Sequence, residues 1–313
     1  MLGCVASDPG EAPVEKPTYP GQLRLRVLGT AQDGGFPHAA CRCSRCELAR
    51  RDPSHERLVA SLALIDADNR AFLFDATPDI RRQLERLRDV KPSTGRVERA
   101  PVDGVFLTHA HLGHYTGLGF FGFEAVHTSE LPLYATPRMI DYLSTNGPWS
   151  QLLDLGNLKP LPMVPSEPLR LGDEIEVTAF HVPHRDEFAD TVGFLIAGPA
   201  LRVAYIPDTD GWDAWDTPFE EWLDRHDIDV ALLDGTFFSM DELPGRDVSS
   251  IGHPRVADTI ERLRERVASG RLRVYFTHFN HSNPLLDADG KRRREVEAAG
   301  FGVLDDGFEL PLQ

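Results

Sequence analysis

The sequence predicts an α/β protein in which short apolar strands alternate with amphipathic helices. Several of these strands end directly in an acid or a histidine, such as Asp75, Asp208 and His278. A chain of 313 residues, of which 41% are hydrophobic, can also bury a substantial core. Because strand ends are where α/β folds collect catalytic groups, we expect these side chains to share one pocket.

The charge and hydropathy of the chain argue against some classes of partner. The formal net charge is −16, which argues against a nucleic-acid surface because phosphate contacts need clustered Lys and Arg. No apolar run is long enough to cross a membrane. We therefore expect a small-molecule substrate.

Residues 1–20 are expected to form a disordered leader or tether, since they are rich in Pro, Glu, Ala and Gly and show no periodic apolar face. Leu2, Gly3 and Cys4 resemble the end of a bacterial lipoprotein signal, in which the cysteine is lipidated. No apolar segment precedes them. A cytoplasmic protein and an exported lipoprotein whose true start lies upstream of Cys4 therefore both stay open.

The first folded segment combines a strand, a glycine-rich loop and a cluster of cysteines. Residues 23–28 alternate as a strand, and residues 29–35 form a loop suited to close backbone approach. A phosphate could bind there, but no Gly-Lys-Ser/Thr follows, which argues against a nucleotide P-loop. The thiols of Cys41, Cys43 and Cys46 could hold one Zn²⁺ if a fourth ligand came from elsewhere, whereas a disulfide would leave one thiol over.

The next elements are predicted from hydrophobic periodicity and turn residues. Residues 60–66 and 71–74 are expected to form a β-hairpin, and residues 79–90 a helix capped by Asp79. A second helix is expected over residues 137–143, ended by an Asn-Gly-Pro sequence. Residues 149–168 contain too many prolines for regular structure, so a pocket lid or an ordinary connection is expected there.

The second half of the chain repeats the alternation of strands and helices. Strands are expected over residues 176–180, 191–196, 201–206, 230–233 and 273–277, and a helix over residues 256–267. Asp208, Asp234 and His278 follow three of these strands. The second half therefore supplies further polar groups to the predicted pocket.

Three histidines follow another predicted strand, residues 105–108. His109 and His111 lie on the same side of an extended chain, so one metal ion could bind both imidazoles, whereas His114 lies beyond a bend. Gly113 stands where a two-metal site of this shape would need an acid. The segment therefore predicts a metal site in which one ligand is missing.

The motif His-x-His-x-Gly-His after a strand, followed by His184, Asp208 and His278 and preceded by Asp75, resembles the metallo-β-lactamase superfamily with one motif residue changed. Residues 28–37 and the Cys-x-Cys-x-x-Cys sequence resemble a narrower branch. That branch contains the coenzyme PQQ synthesis protein B family, the phosphonate-pathway cyclic phosphodiesterase and, more distantly, the tRNA 3′-processing endonuclease. The resemblance implies a single domain over residues 21–313, built as a four-layer αββα sandwich of two mixed β-sheets with helices on both outer faces.

The resemblance also implies two neighbouring active-site metal positions and a separate structural zinc site. The first position would use His109, His111, His184 and Asp208. The second would use Asp208 as a bridging carboxylate, together with His114 and His278. The structural zinc site would use Cys41, Cys43, Cys46 and His281.

Two ligand assignments depend on particular positions. His184 is preferred to His181 because the superfamily pattern places the ligand shortly before a strand like residues 191–194. At Gly113 relatives have an aspartate that ligates the second ion, so affinity for that ion is expected to fall. Zn²⁺ is the expected active-site metal, and Fe²⁺ or Mn²⁺ beside open coordination positions stays an alternative.

The resemblance implies catalytic roles for Asp208 and for two further residues. Asp75 would orient a ligand histidine, the alternative being an acid that caps the turn after its strand. His253 would donate a proton to the leaving group, although histidines at helix starts also occur for other reasons. His38, beside the glycine-rich loop, is expected to line the pocket.

The expected function is a metal-dependent hydrolase, in which metal-bound hydroxide attacks an ester, phosphodiester or amide of a small molecule. Two alternatives stay open: a single-iron enzyme that activates O₂ and acts in quinone cofactor synthesis, and a non-catalytic carrier or binding protein on the same fold. Relatives of this kind are often dimers, so a homodimer is also expected.

Overall fold

The computed structural model describes residues 21–91, 99–242 and 252–313. The predicted leader, residues 1–20, lies outside the described residues. The strands are β1 Arg24–Gly29, β2 Ser61–Ile65, β3 Ala71–Phe74, β4 Gly104–Phe106, β5 Leu131–Ala135, β6 Leu158–Pro162, β7 Pro168–Arg170, β8 Glu176–His181, β9 Val192–Ala197, β10 Arg202–Ile206, β11 Val230–Asp234, β12 Arg273–Thr277, β13 Gly302–Val303 and β14 Glu309–Pro311. The α-helices are α1 Ser44–Arg51, α2 Ile80–Glu85, α3 Leu112–Tyr115, α4 Pro137–Thr145, α5 Trp149–Asp154, α6 Phe219–Arg225, α7 Val256–Ala268 and α8 Lys291–Ala298.

The strands form two seven-stranded sheets. Sheet 1 has the order β14-β1-β2-β3-β4-β5-β6, and sheet 2 has the order β13-β12-β11-β10-β9-β8-β7. Both sheets are mixed, because β3 to β6 pair in parallel and β1, β2 and β14 antiparallel. Sheet 2 repeats this division, with parallel pairs from β10 to β13 and antiparallel pairs from β7 to β10.

Three apolar cores separate four layers. Along β3, Phe72 and Phe74 point into the core between the sheets, whereas Leu73 points to the opposite face, against α2 to α5. Along β10, Tyr205 points into the central core and Ile206 into a third core that includes α1, α6 and α7. This alternation is the period of two expected for strands buried on both faces. The predicted αββα sandwich is therefore confirmed.

Most of the elements predicted from the sequence are present. The hairpin of β2 and β3 is antiparallel, and strands β8 to β12 lie within a residue or so of their predicted bounds. Helix α2 ends at Glu85, well before the predicted end at residue 90. Asp79 does not cap this helix, because its carboxylate accepts a hydrogen bond from the backbone N–H of Val59 instead.

The prediction for residues 149–168 was wrong. This segment contains α5, β6 and the start of β7. Both strands lie at the edge of their sheets, β6 in sheet 1 and β7 in sheet 2. Proline is acceptable on an edge strand because its missing N–H can face away from the neighbouring strand. No helix among the described residues is long and apolar enough to cross a membrane.

Candidate metal centre

The polar side chains of the candidate site come from one edge of the two sheets. In sheet 1, β1 and β3 are both antiparallel to β2, and β4 is parallel to β3, so these three strands run in the same direction. In sheet 2, β8, β10, β11 and β12 also run in one direction, since β8 and β10 are both antiparallel to β9. The residues that follow these strands therefore meet at the same end of the sandwich.

The first group of potential ligands contains His109, His111, His184 and Asp208, whose ligand atoms all lie within 4.8 Å of one another. His184 Nε2 is 3.2 Å from Asp208 Oδ1 and 3.3 Å from His111 Nδ1, and His109 Nε2 is 3.4 Å from Asp208 Oδ2. Two nitrogen or oxygen ligands of a tetrahedral zinc ion lie about 3.4 Å apart. The spacing of this group therefore suits one Zn²⁺.

The second group contains Asp33, His114 and His278. Asp33 Oδ1 is 3.4 Å from His114 Nε2 and 4.0 Å from His278 Nε2. Asp208 Oδ2 is 3.9 Å from each of these two imidazole nitrogens. Asp208 therefore lies between the two groups, where a bridging carboxylate would have to be.

The pairing of buried polar atoms tests whether these residues fit a metal. Nine buried side-chain nitrogen or oxygen atoms lack a hydrogen-bond partner in the described part of the chain, and five belong to the two groups. They are Nε2 of His109, His114 and His278, and Oδ1 of Asp33 and Asp208. A buried polar atom without a partner is costly. The convergence of five such atoms, all able to ligate a divalent cation, fits metal binding.

The remaining ring nitrogens of the ligand histidines are held by neighbouring residues. Nδ1 of His114 is 2.7 Å from a carboxylate oxygen of Asp75, and Nδ1 of His184 is 3.1 Å from one of Asp210. Nδ1 of His109 and Nδ1 of His278 are each 2.9 Å from a threonine hydroxyl. These contacts turn each Nε2 toward the metal positions, as outer partners of metal ligands commonly do.

Asp75 and His278 occupy backbone conformations that favour glycine. Their φ angles are 68° and 61°, and both residues are fully buried. Positive φ is uncommon for residues with a side chain, and it costs free energy that the surrounding structure must offset. The side chain of Asp75 contacts His114 of the second group, and His278 is a member of that group, which explains why glycine would not serve at either position.

Charge and burial shift the pKa values of the site. Burial, together with the neighbouring His114, holds the pKa of His109 well below its usual value, which favours the neutral imidazole that a metal needs. Burial alone would raise the pKa of Asp33, but the nearby imidazoles, chiefly that of His114, outweigh it and lower that pKa. Asp33 is therefore an ionised carboxylate at neutral pH.

His253 lies beside Asp208 but belongs to neither group. Its Nδ1 is 2.8 Å from Asp234 Oδ2 and 3.2 Å from Asp208 Oδ1. Burial would lower the pKa of this histidine, but the carboxylates of Asp234 and Asp208 outweigh it and raise the pKa to about 9. With Nδ1 hydrogen-bonded to Asp234, the proton that the ring can give to a substrate is the one on Nε2.

The four predicted members of the structural zinc site lie together at one end of α1. His281 Nδ1 is 3.5 Å from Cys41 Sγ, 3.7 Å from Cys46 Sγ and 3.8 Å from Cys43 Sγ. A thiolate and an imidazole that bind the same tetrahedral zinc lie about 3.5 Å apart. We refer to Cys41, Cys43, Cys46 and His281 as the Cys/His cluster.

His38 lies beside this cluster, and that it lines the pocket stays a prediction. Its ring centroid is 4.5 Å from that of His281, and its backbone N–H donates to Cys46 Sγ. His181, which was set aside as a ligand, lies at the end of β8 with 61% of its side chain exposed. His184 is the histidine of this segment that joins the first group.

The main correction concerns the position opposite Gly113. The sequence indicated that only His114, Asp208 and His278 remained for a second ion, but the structure adds the carboxylate of Asp33. Asp33 follows β1, which runs in the same direction as β3. An acid in a glycine-rich loop after a strand is the signal that could have revealed it, since the other strand-end acids follow the same rule. Asp210 and Asp234 were also missed as the partners of His184 and His253.

Comparison with known proteins identifies the class. Residues 70–279 match the family model described as the beta-lactamase superfamily domain. The chain therefore belongs to the beta-lactamase superfamily. Within it, the chain is similar to coenzyme PQQ synthesis protein B of Cupriavidus necator, with 30% identity over 92% of this chain and 99% of the relative.

Solved structures agree with this assignment. The crystal structure of Zn²⁺-bound PqqB from Methylobacterium extorquens is similar with a TM-score of 0.76 and 28% identity, over 92% of this chain and all of that one. A diphosphatase of the PhnP family shares the fold with a TM-score of 0.63 and 21% identity, over 92% of this chain and 96% of that one. The short form of human tRNase Z shares it with a TM-score of 0.54 and 15% identity, over 93% of this chain and 99% of that one.

Proposed function

We propose that the protein is a metal-dependent hydrolase that cleaves an ester, phosphodiester or amide bond of a small molecule. The observation that carries this proposal is the convergence of the two groups on Asp208, whose oxygens lie 3.2–3.9 Å from Nε2 of His109, His114, His184 and His278. A divalent ion bound at such a site lowers the pKa of its water toward neutrality and polarises the scissile bond. We propose zinc as that ion, and Fe²⁺ or Mn²⁺ as the alternatives.

The proposal assigns the neighbouring residues distinct tasks. Asp75 and Asp210 hold the rings of His114 and His184 so that Nε2 faces the metal positions. His253 lies outside the two groups but within 3.2 Å of Asp208, close to where a substrate would meet the metals. With its Nδ1 held by Asp234, His253 can deliver the proton on Nε2 to the leaving group.

The relatives support a narrower version of this proposal. The chain resembles proteins named coenzyme PQQ synthesis protein B over nearly its whole length, and one of them has been crystallised with Zn²⁺. We therefore propose that its small-molecule substrate belongs to PQQ synthesis. The resemblance also supports zinc at the Cys/His cluster, where the spacing of thiols and imidazole fits that ion.

The structure favours the hydrolase over the single-iron alternative. That alternative gained support from the missing acid at Gly113, which would have left a second ion weakly held. Asp33 supplies a carboxylate in that place, 3.4 Å from His114 Nε2. A pair of ions that share a carboxylate is an arrangement common to hydrolases that displace one oxygen by another.

The proposal is tested with the zinc-loaded protein and generic phosphodiesters, carboxylic esters and lactams. We expect hydrolysis of at least one class, and a loss of about 100-fold or more in kcat/KM for Asp208→Asn, since a shared ligand should matter at least as much as an outer partner. His181→Ala is the matched control, because this exposed histidine lies in the same segment as His184 but outside both groups. Inactivity on all three classes, or O₂ consumption that requires iron, would contradict the hydrolase.

A further inference from the structure

The carboxylate of Asp33 occupies the space that a side chain at position 113 would need. Gly113 is buried in α3, directly before His114. A Cβ atom placed on Gly113 would lie 2.1 Å from Asp33 Oδ1 and 2.9 Å from Asp33 Cα. Both distances are shorter than real Cβ contacts allow. An aspartate at position 113 and the observed position of Asp33 are therefore mutually exclusive.

We infer that Asp33 is the carboxylate ligand of an ion at the second group, and that it replaces an acid at position 113. Three sequence-distant segments would then hold this ion, through Asp33, His114 and His278, with Asp208 shared. The inference rests on the proposed metal-dependent function, but it concerns where one ligand comes from. Metal content can therefore test it separately from hydrolysis.

The position of Asp33 supports a ligand role over a surface role. Its Oδ1 is buried and lacks a hydrogen-bond partner among the described residues, although a quarter of the whole side chain is exposed. The same atom lies 3.4 Å from His114 Nε2 and 4.0 Å from His278 Nε2, which also lack partners. An oxygen in this setting is directed at the two imidazole nitrogens and away from water.

The loop that carries Asp33 is fixed against the segment that carries His278. The backbone N–H of Gln32 donates to the carbonyl oxygen of Phe279 at 2.9 Å, and Ala31 forms β-bridges with both Val59 and Phe279. The backbone directly before Asp33 is therefore held by Val59 on one side and by Phe279 on the other. A ligand needs this kind of support to keep its geometry.

Gly113 is required for space and not for its backbone conformation. It lies inside a helical turn, where alanine is a better helix former than glycine. Substitution by alanine should therefore leave the local helix intact while its methyl group displaces Asp33. Gly119→Ala is a matched control, since a Cβ at Gly119 would meet nothing within 4 Å.

The test measures the metal content of the zinc-loaded full chain by elemental analysis and native mass spectrometry. We expect Asp33→Ala and Gly113→Ala each to lose about one zinc per chain, or to bind it at least ~10–100-fold more weakly, the range for losing an outer partner of a metal ligand. Glu187→Gln, which neutralises a carboxylate 3.3 Å from His111 of the first group, should keep that zinc. Gly119→Ala should also keep it.

Two further measurements make the outcome decisive. The zinc of the Cys/His cluster and the melting temperature check that each variant is folded, and Asp33→Asn keeps the volume of the side chain if Asp33→Ala proves unstable. In the double variant Asp33→Ala/Gly113→Asp, the acid returns to position 113 and we expect at least part of the lost zinc to return. A folded Asp33→Ala or Asp33→Asn protein with unchanged zinc content and affinity would overturn the inference. If the zinc-loaded wild-type protein hydrolyses none of the substrates while the zinc contents of the variants change as expected, only the proposed function is contradicted.

Discussion

The two groups of potential ligands differ in how the chain builds them. The first group takes His109 and His111 from the segment after β4, His184 from the segment after β8 and Asp208 from the segment after β10. These strands lie inside their sheets. The first group therefore depends mainly on the β-sandwich itself.

The second group depends on two loops that have another task. The segment of residues 31–46 carries Asp33 as well as Cys41, Cys43 and Cys46, and the segment of residues 278–281 carries His278 as well as His281. The Cys/His cluster therefore joins the same two segments that supply two ligands of the second group. The comparison suggests that the position of the second ion is controlled from outside the pocket, whereas that of the first is not.

The largest expected effect spares both groups and changes only the proton donor. His253→Asn removes the ionisable ring that Asp234 and Asp208 hold, but it removes no member of either group. We expect kcat to fall by about 10²–10⁴-fold, the usual contribution of general acid catalysis, with unchanged zinc content. Steady-state kinetics and elemental analysis check this. Zinc loss in this variant would mean that His253 belongs to the metal site.

A smaller effect should distinguish the two groups through their outer partners. Asp75→Asn weakens the hold on His114 and should lower zinc affinity at the second group by about 10–100-fold, whereas Asp210→Asn should affect the first group alone. The effect of Asp210→Asn should be the lesser one, since its carboxylate is one-third exposed and that of Asp75 is fully buried. Competition titrations with a chelator measure both affinities. If either variant weakened zinc binding equally at both groups, the outer partners would not distinguish the two groups.

The smallest expected effect is the indirect one, from the Cys/His cluster to the second group. Cys43→Ser should abolish zinc binding at the cluster and weaken the second ion by about 5-fold or more, the lower end of coupling between distinct sites, while the first ion keeps its affinity. Cys43 is exposed, so the substitution itself should disturb little packing. Ser44→Ala, at the adjacent exposed position, is the control. If the second ion is unaffected once the cluster has lost its zinc, the two loops are held by the fold alone.

The same contrast explains what could be predicted from the sequence. The four members of the first group were predicted, two from a motif of alternating histidines and two from the resemblance to a superfamily. The second group was only partly predicted, because the contact between Asp33 and Gly113 joins residues far apart in the chain and depends on how the glycine-rich loop packs. Residues 149–168 were misinterpreted for a related reason, since prolines exclude a segment from the middle of a sheet but not from its edge.

We expect the shared loops to set an order for the folding of the site. All ligands of the first group lie within residues 109–208, so they are available as soon as that part of the chain has been synthesised. The second group needs Asp33 near one end of the chain and His278 near the other, and the Cys/His cluster spans the same interval. Contacts of such long sequence separation carry a large loop-closure cost and are slow to form. A nascent chain could therefore acquire its first ion early, whereas the second ion would bind only to a chain whose two ends have already met.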